Sequence, residues 1–409
     1  MLLKSIIRKT LGVKRHVVES VDWREDELVV KIVPRRGAHQ PCGTCGTMGR
    51  VRDRLRIRAW KHVPMWGIPV TLEYSPTRVS CKVCGKVKVE AIPWAQGKCR
   101  LSVGLVWLLS SWCKQLPWEQ VARHYKVHWN TVATAVRQAV AYGLANRELG
   151  TVLHIGIDEL SRRKGHAYVT NVYDLQGSRL IWSGEGRSKE TLRAFFAEHG
   201  ELVRQQVVGV CCDMWQPYID LIKEYLPNVT LVFDRFHVVQ QLLKAVDQVR
   251  RDEARELQKT NPGLLLRTRY LWLKNPETLT DRQRSRLSYL EQLNLRSHRA
   301  WLLKESFREF WEYTSKPWAK RFLEKWFWWA THSRLQPMRD FAWMLRRHED
   351  GLLSYFDLKI SNGTVEGLNN KAKVICHRSY GFRTISTYVT ALYHCMGKLP
   401  EPALTHKFL

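Results

Sequence analysis

The spacing of apolar residues changes several times along this chain, and each change marks a part. Up to about residue 100 the text has short alternating runs broken by Gly and Pro, which predicts a small β-rich module. From about 101 to 150 the apolar positions recur at three- and four-residue spacing, which predicts helices. Strand-like text returns in TVLHIGID (151–158), HAYVTNVYD (166–174) and SRLIWSGEG (178–186). A helical SKETLRAFFAEHG, a strand VVGVCCD, a helix WQPYIDLIKEYL and a strand NVTLVFD follow. Three strands, then helix, strand, helix and strand, make a mixed α/β order. Residues from about 235 to 350 read as helix throughout, and a last helical stretch follows SNGTVEGLNN near 362. The predicted plan is therefore a β-rich module (1–100), a helical segment (101–150), an α/β core (151–240), an α-helical insertion (241–355) and a return to the core (356–409).

Composition narrows the class. A chain of 409 residues with 44% apolar content is long enough for two to four folded units. Lys and Arg number 66 against 38 Asp and Glu, a net charge of +28 that opposes compaction unless a polyanion is the usual partner. Nucleic acid is the first such partner, and an anionic membrane is the rival. No apolar run approaches the roughly 18 residues of a membrane span, and MLLKSIIRKTLGVKR is charged too early for a secretory leader. The expected setting is the cytoplasm, in association with the nucleoid. Ten cysteines, four of them in two CxxC pairs, fit metal binding in a reducing compartment better than a disulfide framework.

Cys42, Cys45, Cys81 and Cys84 form two CxxCG units. Each places two thiols on one tight turn, with Gly relieving the backbone where amides turn toward sulfur. Together they predict one structural Zn2+ on four thiolates, with no coordination position left for chemistry. Buried free cysteines are the alternative. Between the pairs, Arg50, Arg52, Arg54, Arg56 and Arg58 alternate with other residues, so one continuous strand would present all five on a single face. Such a comb suits a phosphate backbone or, equally, plain solvent.

In LPWEQVARHYKVHWNTVATAVRQAVAYGL, residues Val121, Ala122, Tyr125, Val127, Val132 and Val136 fit two helices crossing at a turn near Lys126 and Val127. This predicts a helix-turn-helix whose second helix offers Asn130, Thr131, Thr134 and Arg137 to a major groove, although a plain helical hairpin shares the pattern. Farther on, Asp158 and Asp213 each end an apolar run, predicted as the first and fourth strands. If those strands are neighbours, their carboxylates emerge side by side, where an unpaired charge is costly unless a cation meets it. Glu366 has Asn369, Asn370 and Lys373 at plus three, four and seven, one helix face able to close over a metal pair. Two ions about 3.5–4 Å apart would activate a water or a 3′-hydroxyl for in-line displacement. Glu159 is set aside as facing away, Asp174 and Asp220 are read as surface acids, and Trp311, Trp318, Trp326, Trp328, Trp329 and Trp343 of the insertion are read as core.

The double CxxC ribbon, the helix-turn-helix and four segments now combine. With IGIDELSRRKGHAYVT, VVGVCCDMWQPY, LVFDRFHVVQ and SNGTVEGLNNKAKVICHRSYGFR, the chain resembles the ISL-three family of bacterial insertion-sequence transposases over nearly its whole length. The resemblance implies an RNase H-like core with a helical insertion before the last acid, and a catalytic triad of Asp158, Asp213 and Glu366 that works with two Mg2+ or Mn2+ ions. Asp234, His237, Asn369 and Asn370 would support those ligands or touch the DNA strand. Lys373, His377, Arg378, Tyr380 and Arg383 form a basic, aromatic stretch suited to DNA beside the cut. The implied partners are the element's terminal inverted repeats and target DNA, with at least a homodimer in the synaptic complex and no membrane. Two other classes share part of this evidence: a zinc-dependent DNA-binding regulator without activity, and a nuclease with no preference for particular ends.

Overall fold

The computed structural model describes residues 2–163, 167–358, 360 and 363–402. They form two compact units, Met1–Glu148 with Val374–Leu409, and Leu149–Lys373.

The first unit opens with helix α1 (Leu2–Leu11) and eight strands: β1 (His16–Arg24), β2 (Glu27–Pro34), β3 (Gln40–Pro41), β4 (Met48–Arg54), β5 (Arg58–Met65), β6 (Ile68–Tyr74), β7 (Thr77–Cys81) and β8 (Lys86–Val89). They divide between two sheets, β1-β2-β6-β5 and β3-β4-β7-β8. The first sheet alternates cleanly enough to bury Leu28, Val30, Ile32, Val70 and Leu72 against Ile7 of α1, Trp60 and Trp94. A buried carboxylate joins the two sheets. Glu90 accepts from Tyr74 Oη (2.7 Å) and from Thr77 N and Oγ1 (2.5 and 2.8 Å), and lies 3.6 Å from His16. These partners hold its acid below the usual carboxylate range despite burial, which opposes the shift.

Helices α2 (Val103–Cys113), α3 (Trp118–His124) and α4 (Trp129–Ala145) follow. The turn between α3 and α4 places Lys126 at φ 49°, and His128 caps α4 through its Nδ1 at 3.2 Å from Asn130 N. Val121, Ala122, Val132 and Val136 are buried between the helices, as their spacing predicts. Residues 374–402 were expected to complete the α/β core, but they belong with this unit. Helix α16 (Ile385–Met396) packs on α4, where the absent side chain of Gly143 admits Leu399.

The second unit is built on one mixed sheet. Its strands are β9 (His154–Arg163), β10 (Ala167–Asp174), β11 (Arg179–Glu185), β12 (Gly209–Cys212) and β13 (Thr230–Phe233), in the order β11-β10-β9-β12-β13. Strands β11, β10 and β9 are antiparallel neighbours, while β9, β12 and β13 run parallel. Helices α5 (Lys189–Gln206) and α6 (Gln216–Tyr225) cover it, burying Leu192, Phe195, Phe196, Leu221 and Ile222 against Ile155, Ile157, Val172 and Val210. After β13 come α7 (Arg235–Leu257), α8 (Arg269–Leu273), α9 (Asp281–Glu291), α10 (Arg296–Arg308), α11 (Lys316–His332), α12 (Gln336–Arg347), α13 (Glu349–Leu353) and α14 (Tyr355–Leu358). These helices share a core of their own around Trp272, Phe307, Phe310, Trp326 and Phe341. The chain closes with α15 (Gly363–Arg378) and α16 (Ile385–Met396).

The structure departs from two expectations. Of the six tryptophans read as core, Trp311 and Trp326 are buried, but Trp318, Trp328, Trp329 and Trp343 are 40–63% exposed. They lie on the outer sides of α11 and α12, whose inner faces are filled by smaller residues such as Ala319, Leu323, Ala330 and Ala342. Asp174 is buried rather than superficial, because Arg179 pairs with it at 2.9 Å. Asp220 is exposed, as expected.

Candidate metal centre and active site

In the first unit the four cysteines converge, with Sγ atoms of Cys42 and Cys84 at 3.9 Å and of Cys45 and Cys81 at 3.4 Å. A tetrahedral zinc with Zn–S bonds of about 2.3 Å requires sulfur atoms about 3.8 Å apart, so the group fits that ion. Gly46 and Gly85, next after each pair, adopt φ of 74° and 63°, the left-handed conformation the turns require. Hydrogen bonds from Thr47 pull the Cys45 thiol down to about 6, while the neighbouring sulfurs push Cys84 up to about 12. The arginine comb between the pairs is not continuous. Strand β4 bulges between Val51 and Asp53, its pairing ends at Arg54, and Arg58 begins a strand of the other sheet. Arg50, Arg52 and Arg54 therefore stand apart from Arg56 and Arg58. Asp53, which the alternation set between the arginines, is taken by Arg78 at 2.6 Å.

On the helix-turn-helix, Asn130 and Arg137 are exposed, while Thr131 and Thr134 are half-buried. Thr134 Oγ1 donates to Asn130 O at 2.8 Å and accepts from Arg137 Nη2 at 3.1 Å, so the three form a local chain. Lys373, His377, Tyr380 and Arg383 are exposed. Arg378 is not: it donates to Lys114 O (3.0 Å) and Cys113 O (3.3 Å), the free carbonyls at the end of α2. Arg378 thereby caps the end of α2.

The acids of the second unit gather at one end of the parallel strands. Asp213 follows β12 directly, and Asp234 follows β13 as the cap of α7, accepting from Phe236 N at 2.7 Å. Asp158 does not end its strand, since β9 continues to Arg163. What ends is its pairing on one side: β12 accompanies β9 only as far as Gly156, whereas β10 continues past Asp158. The sheet thus opens beside Asp158 on the side from which Asp213 emerges. Oδ1 of Asp158 accepts from Glu159 N (2.7 Å), and Oδ1 of Asp213 accepts from Met214 N (2.6 Å), which fixes both carboxylates.

Helix α15 is tied to this edge. Asn369 Nδ2 donates to Asp158 Oδ2, Tyr173 Oη donates to Asn369 Oδ1 at 2.8 Å, and Asn171 Nδ2 donates to Tyr173 Oη at 3.0 Å. Asn171 is the cross-strand partner of Asp158, so the ring of contacts closes on itself. Glu366 is exposed one helical turn before Asn369, on the same side of α15, and Asn370 and Lys373 are exposed beyond it. A cavity of about 1020 Å³ opens beside Asp234 and Glu366, with Arg235, Phe236, Trp311 and Trp329 in its walls. Among the described residues, only the four cysteines bring all their ligand atoms within 4.8 Å of one another. The acid group is more open than that.

The electrostatics favour a cation. Burial pushes the Asp158 acid above its usual range, with Asp234 adding to the shift and His237 opposing it. His237 lies 2.7 Å from Asp234. Burial alone would lower its pKa, but Asp234, Asp213 and Asp158 raise it to about 9, so the imidazole is a cation at neutral pH. Glu159, set aside in the sequence, is also drawn in. It is nearly enclosed, pairs with Arg187 at 3.5 Å, and has its acid raised by burial. Strand alternation alone gave no sign that a second acid would be buried here.

Residues 155–392 match the family model described as "Transposase" for the ISL3 group of DDE enzymes. The chain is 29% identical over 389 residues to the transposase for insertion sequence element IS1001 of Bordetella parapertussis, covering 94% of this chain and 96% of that one. It is also 29% identical over 415 residues to the transposase for insertion sequence element IS1557 of Mycobacterium tuberculosis, covering 93% and 92%. The chain belongs to the ISL3 family of transposases. No described helix is long and apolar enough to cross a membrane.

Proposed function

We propose that this transposase binds the terminal inverted repeats of its own element and catalyses metal-dependent strand cleavage and strand transfer with Asp158, Asp213 and Glu366. The sheet order β11-β10-β9-β12-β13, with only its first three strands antiparallel, supports an RNase H-like core. The observation that carries the reading is the Asn369 contact to Asp158, which tethers the helix bearing Glu366 to the edge where Asp158 and Asp213 meet. Two Mg2+ or Mn2+ ions held there would supply an activated nucleophile and stabilise the leaving oxygen. The donor set fits such hard cations, being carboxylates with Oδ1 anchored by backbone amides. Asn369 orients Asp158, and His237 balances the charge of Asp234.

In the same reading the zinc module and the helix-turn-helix select the ends, with Asn130 and Arg137 in the major groove and Arg50, Arg52 and Arg54 on phosphates. The protein acts in the cytoplasm on nucleoid DNA, as a dimer or larger assembly once two ends are joined. Cleavage of a labelled transposon end in magnesium tests the proposal. Wild type should cut at the element boundary, and Asp213→Asn should bind the same DNA but leave it intact. An active Asp213→Asn protein would remove the assignment.

A further inference from the structure

The link between β11 and α5 carries a cation whose setting neither the fold nor the three acids explain. Arg187 lies between two aromatic faces, its guanidinium carbon 5.8 Å from the Tyr168 ring centre and 5.6 Å from that of Trp215. Its Nε faces Glu159 Oε2 at 3.5 Å. The backbone on either side is pinned. Gly186 N donates to Tyr168 O (2.9 Å), Thr170 Oγ1 donates to Gly186 O (2.8 Å), and Ser188 Oγ caps α5 at Thr191 N (3.2 Å).

That restraint is costly if its purpose is structural. Glu159 has a side chain only 10% exposed, with Tyr218 as its other hydrogen-bonding neighbour. A buried pair of this kind gives little net stability, because desolvation offsets the attraction. It does give orientation. The Arg187 side chain keeps 41% of its exposure, and nothing among the described residues accepts from its Nη groups. A planar guanidinium with one edge engaged and the other presented to solvent is suited to a phosphate, which it can grip through two parallel N–H groups.

Position makes the ligand specific. Glu159 adjoins Asp158 in β9, and Trp215 is two residues beyond Asp213, so two of the three supports of Arg187 are chain neighbours of the proposed catalytic acids. A strand cut at Asp158 and Asp213 must also have its flanking phosphates held in line, and a fixed cation beside those acids suits that task. We propose that Arg187, aimed by Glu159, Tyr168 and Trp215, clamps a backbone phosphate of the DNA strand beside the scissile bond. This rests on the strand-cleavage reading above. Arg187 is then a substrate-binding residue, and Glu159 is its positioning residue.

The test uses the full chain and duplexes of a transposon end carrying single methylphosphonate linkages, each of which removes one phosphate charge. Wild type should slow about tenfold or more at one linkage close to the cut. Arg187→Ala should be slowed by a similar factor on unmodified DNA, lose nothing further at that linkage, and respond like wild type elsewhere. Arg187→Lys keeps a cation beside Glu159, so it should melt like wild type while still losing several-fold in rate. Glu159→Gln should show the same loss of sensitivity at that linkage, a response a purely structural role would not produce. If Arg187→Ala and Arg187→Lys keep the wild-type response at every linkage, the clamp is wrong. If wild type does not cut at all, the cleavage reading fails, and the clamp is judged on binding. Removing one phosphate contact should then flatten the slope of log affinity against log salt by about one. An unchanged slope overturns it.

Discussion

Gly156→Ala should leave the protein folded and nearly abolish its chemistry. Gly156 lies in β9 two residues before Asp158, where helix α15 meets the sheet. A Cβ added there would sit 2.5 Å from Val365 Cγ2 and 2.7 Å from Leu175 Cδ2. Carbon atoms in contact rest about 3.5–4.0 Å apart, so the helix must back away by about 1 Å. Overpacking of this kind costs about 1–3 kcal/mol, and replacing Gly with Ala returns about 0.4–1 kcal/mol by restricting the unfolded chain. The expected net loss of roughly 1–2 kcal/mol is small against the stability of a domain. The active site is less tolerant. Val365 immediately precedes Glu366, and misplacing a reacting group by about 1 Å can cost about 100-fold in rate. Urea unfolding and single-turnover cleavage, measured on the same preparation, should therefore diverge. Adding Val365→Ala makes room for the new methyl and should recover much of the rate. Cleavage by Gly156→Ala within threefold of wild type, or a double variant as slow as the single one, would refute the idea that this contact sets the position of Glu366.

Three further outcomes follow from the structure. Metal analysis of the purified protein should find one equivalent of zinc, and Cys42→Ser or a strong chelator should unfold the β3-β4-β7-β8 sheet while the second unit keeps its own transition. Asp158→Asn and Glu366→Gln should lose cleavage as Asp213→Asn does, by several kcal/mol of transition-state stabilisation or about a thousandfold. The exposed Asp220 carboxylate accepts from Gln216 at 2.6 Å, and Asp220→Asn should keep wild-type activity. The last concerns pH. Burial among apolar neighbours, with Lys114 and Arg378 nearby, pulls the His394 pKa down to about 3. The folded protein thus refuses a proton that the unfolded chain accepts below about pH 6.5. The stability linked to His394 is complete above that pH and is lost as pH falls toward 3. Between pH 6.5 and 4.5 the first unit should lose about 2 kcal/mol more than a His394→Leu variant does. Parallel stability profiles of the two proteins would contradict this.

Much of the architecture was legible because periodicity is local. The three strands, the alternating helices and strands after them, the helices α2 to α4 and the later helical run all occur where the apolar spacing changes. The two CxxCG units were legible for the same reason, since each turn holds its own thiols and its own glycine. What the sequence concealed depends on partners distant in the chain. Asp158 reads as a strand end because the apolar run stops there, yet β10 carries the strand onward. Asp174 reads as a surface acid until Arg179 folds back on it. The arginines alternate perfectly in text, but alternation cannot announce a bulge at Val51–Asp53 or the passage of the chain from one sheet to another. Tryptophan misleads in the insertion because its size argues for burial, while Ala319, Ala330 and Ala342 already fill the inner faces. Glu159 was passed over because a strand's two faces were taken as one buried and one free. Here both carry acids, and only Arg187, outside any periodic element, explains the second.

The placement of the C-terminal segment has a consequence during synthesis. Helix α4 is translated well before α16, on which it packs, and the end of α2 is capped by Arg378, which is also made late. The acid of α15 likewise arrives only after the whole helical insertion has been made. Until those helices are made, α4 lacks its buttress, and Asp158 and Asp213 lack the glutamate proposed to work with them. If the proposed chemistry holds, a strongly basic protein still attached to its ribosome, and close to nucleic acid of every kind, cannot cut a strand before α15 has been translated.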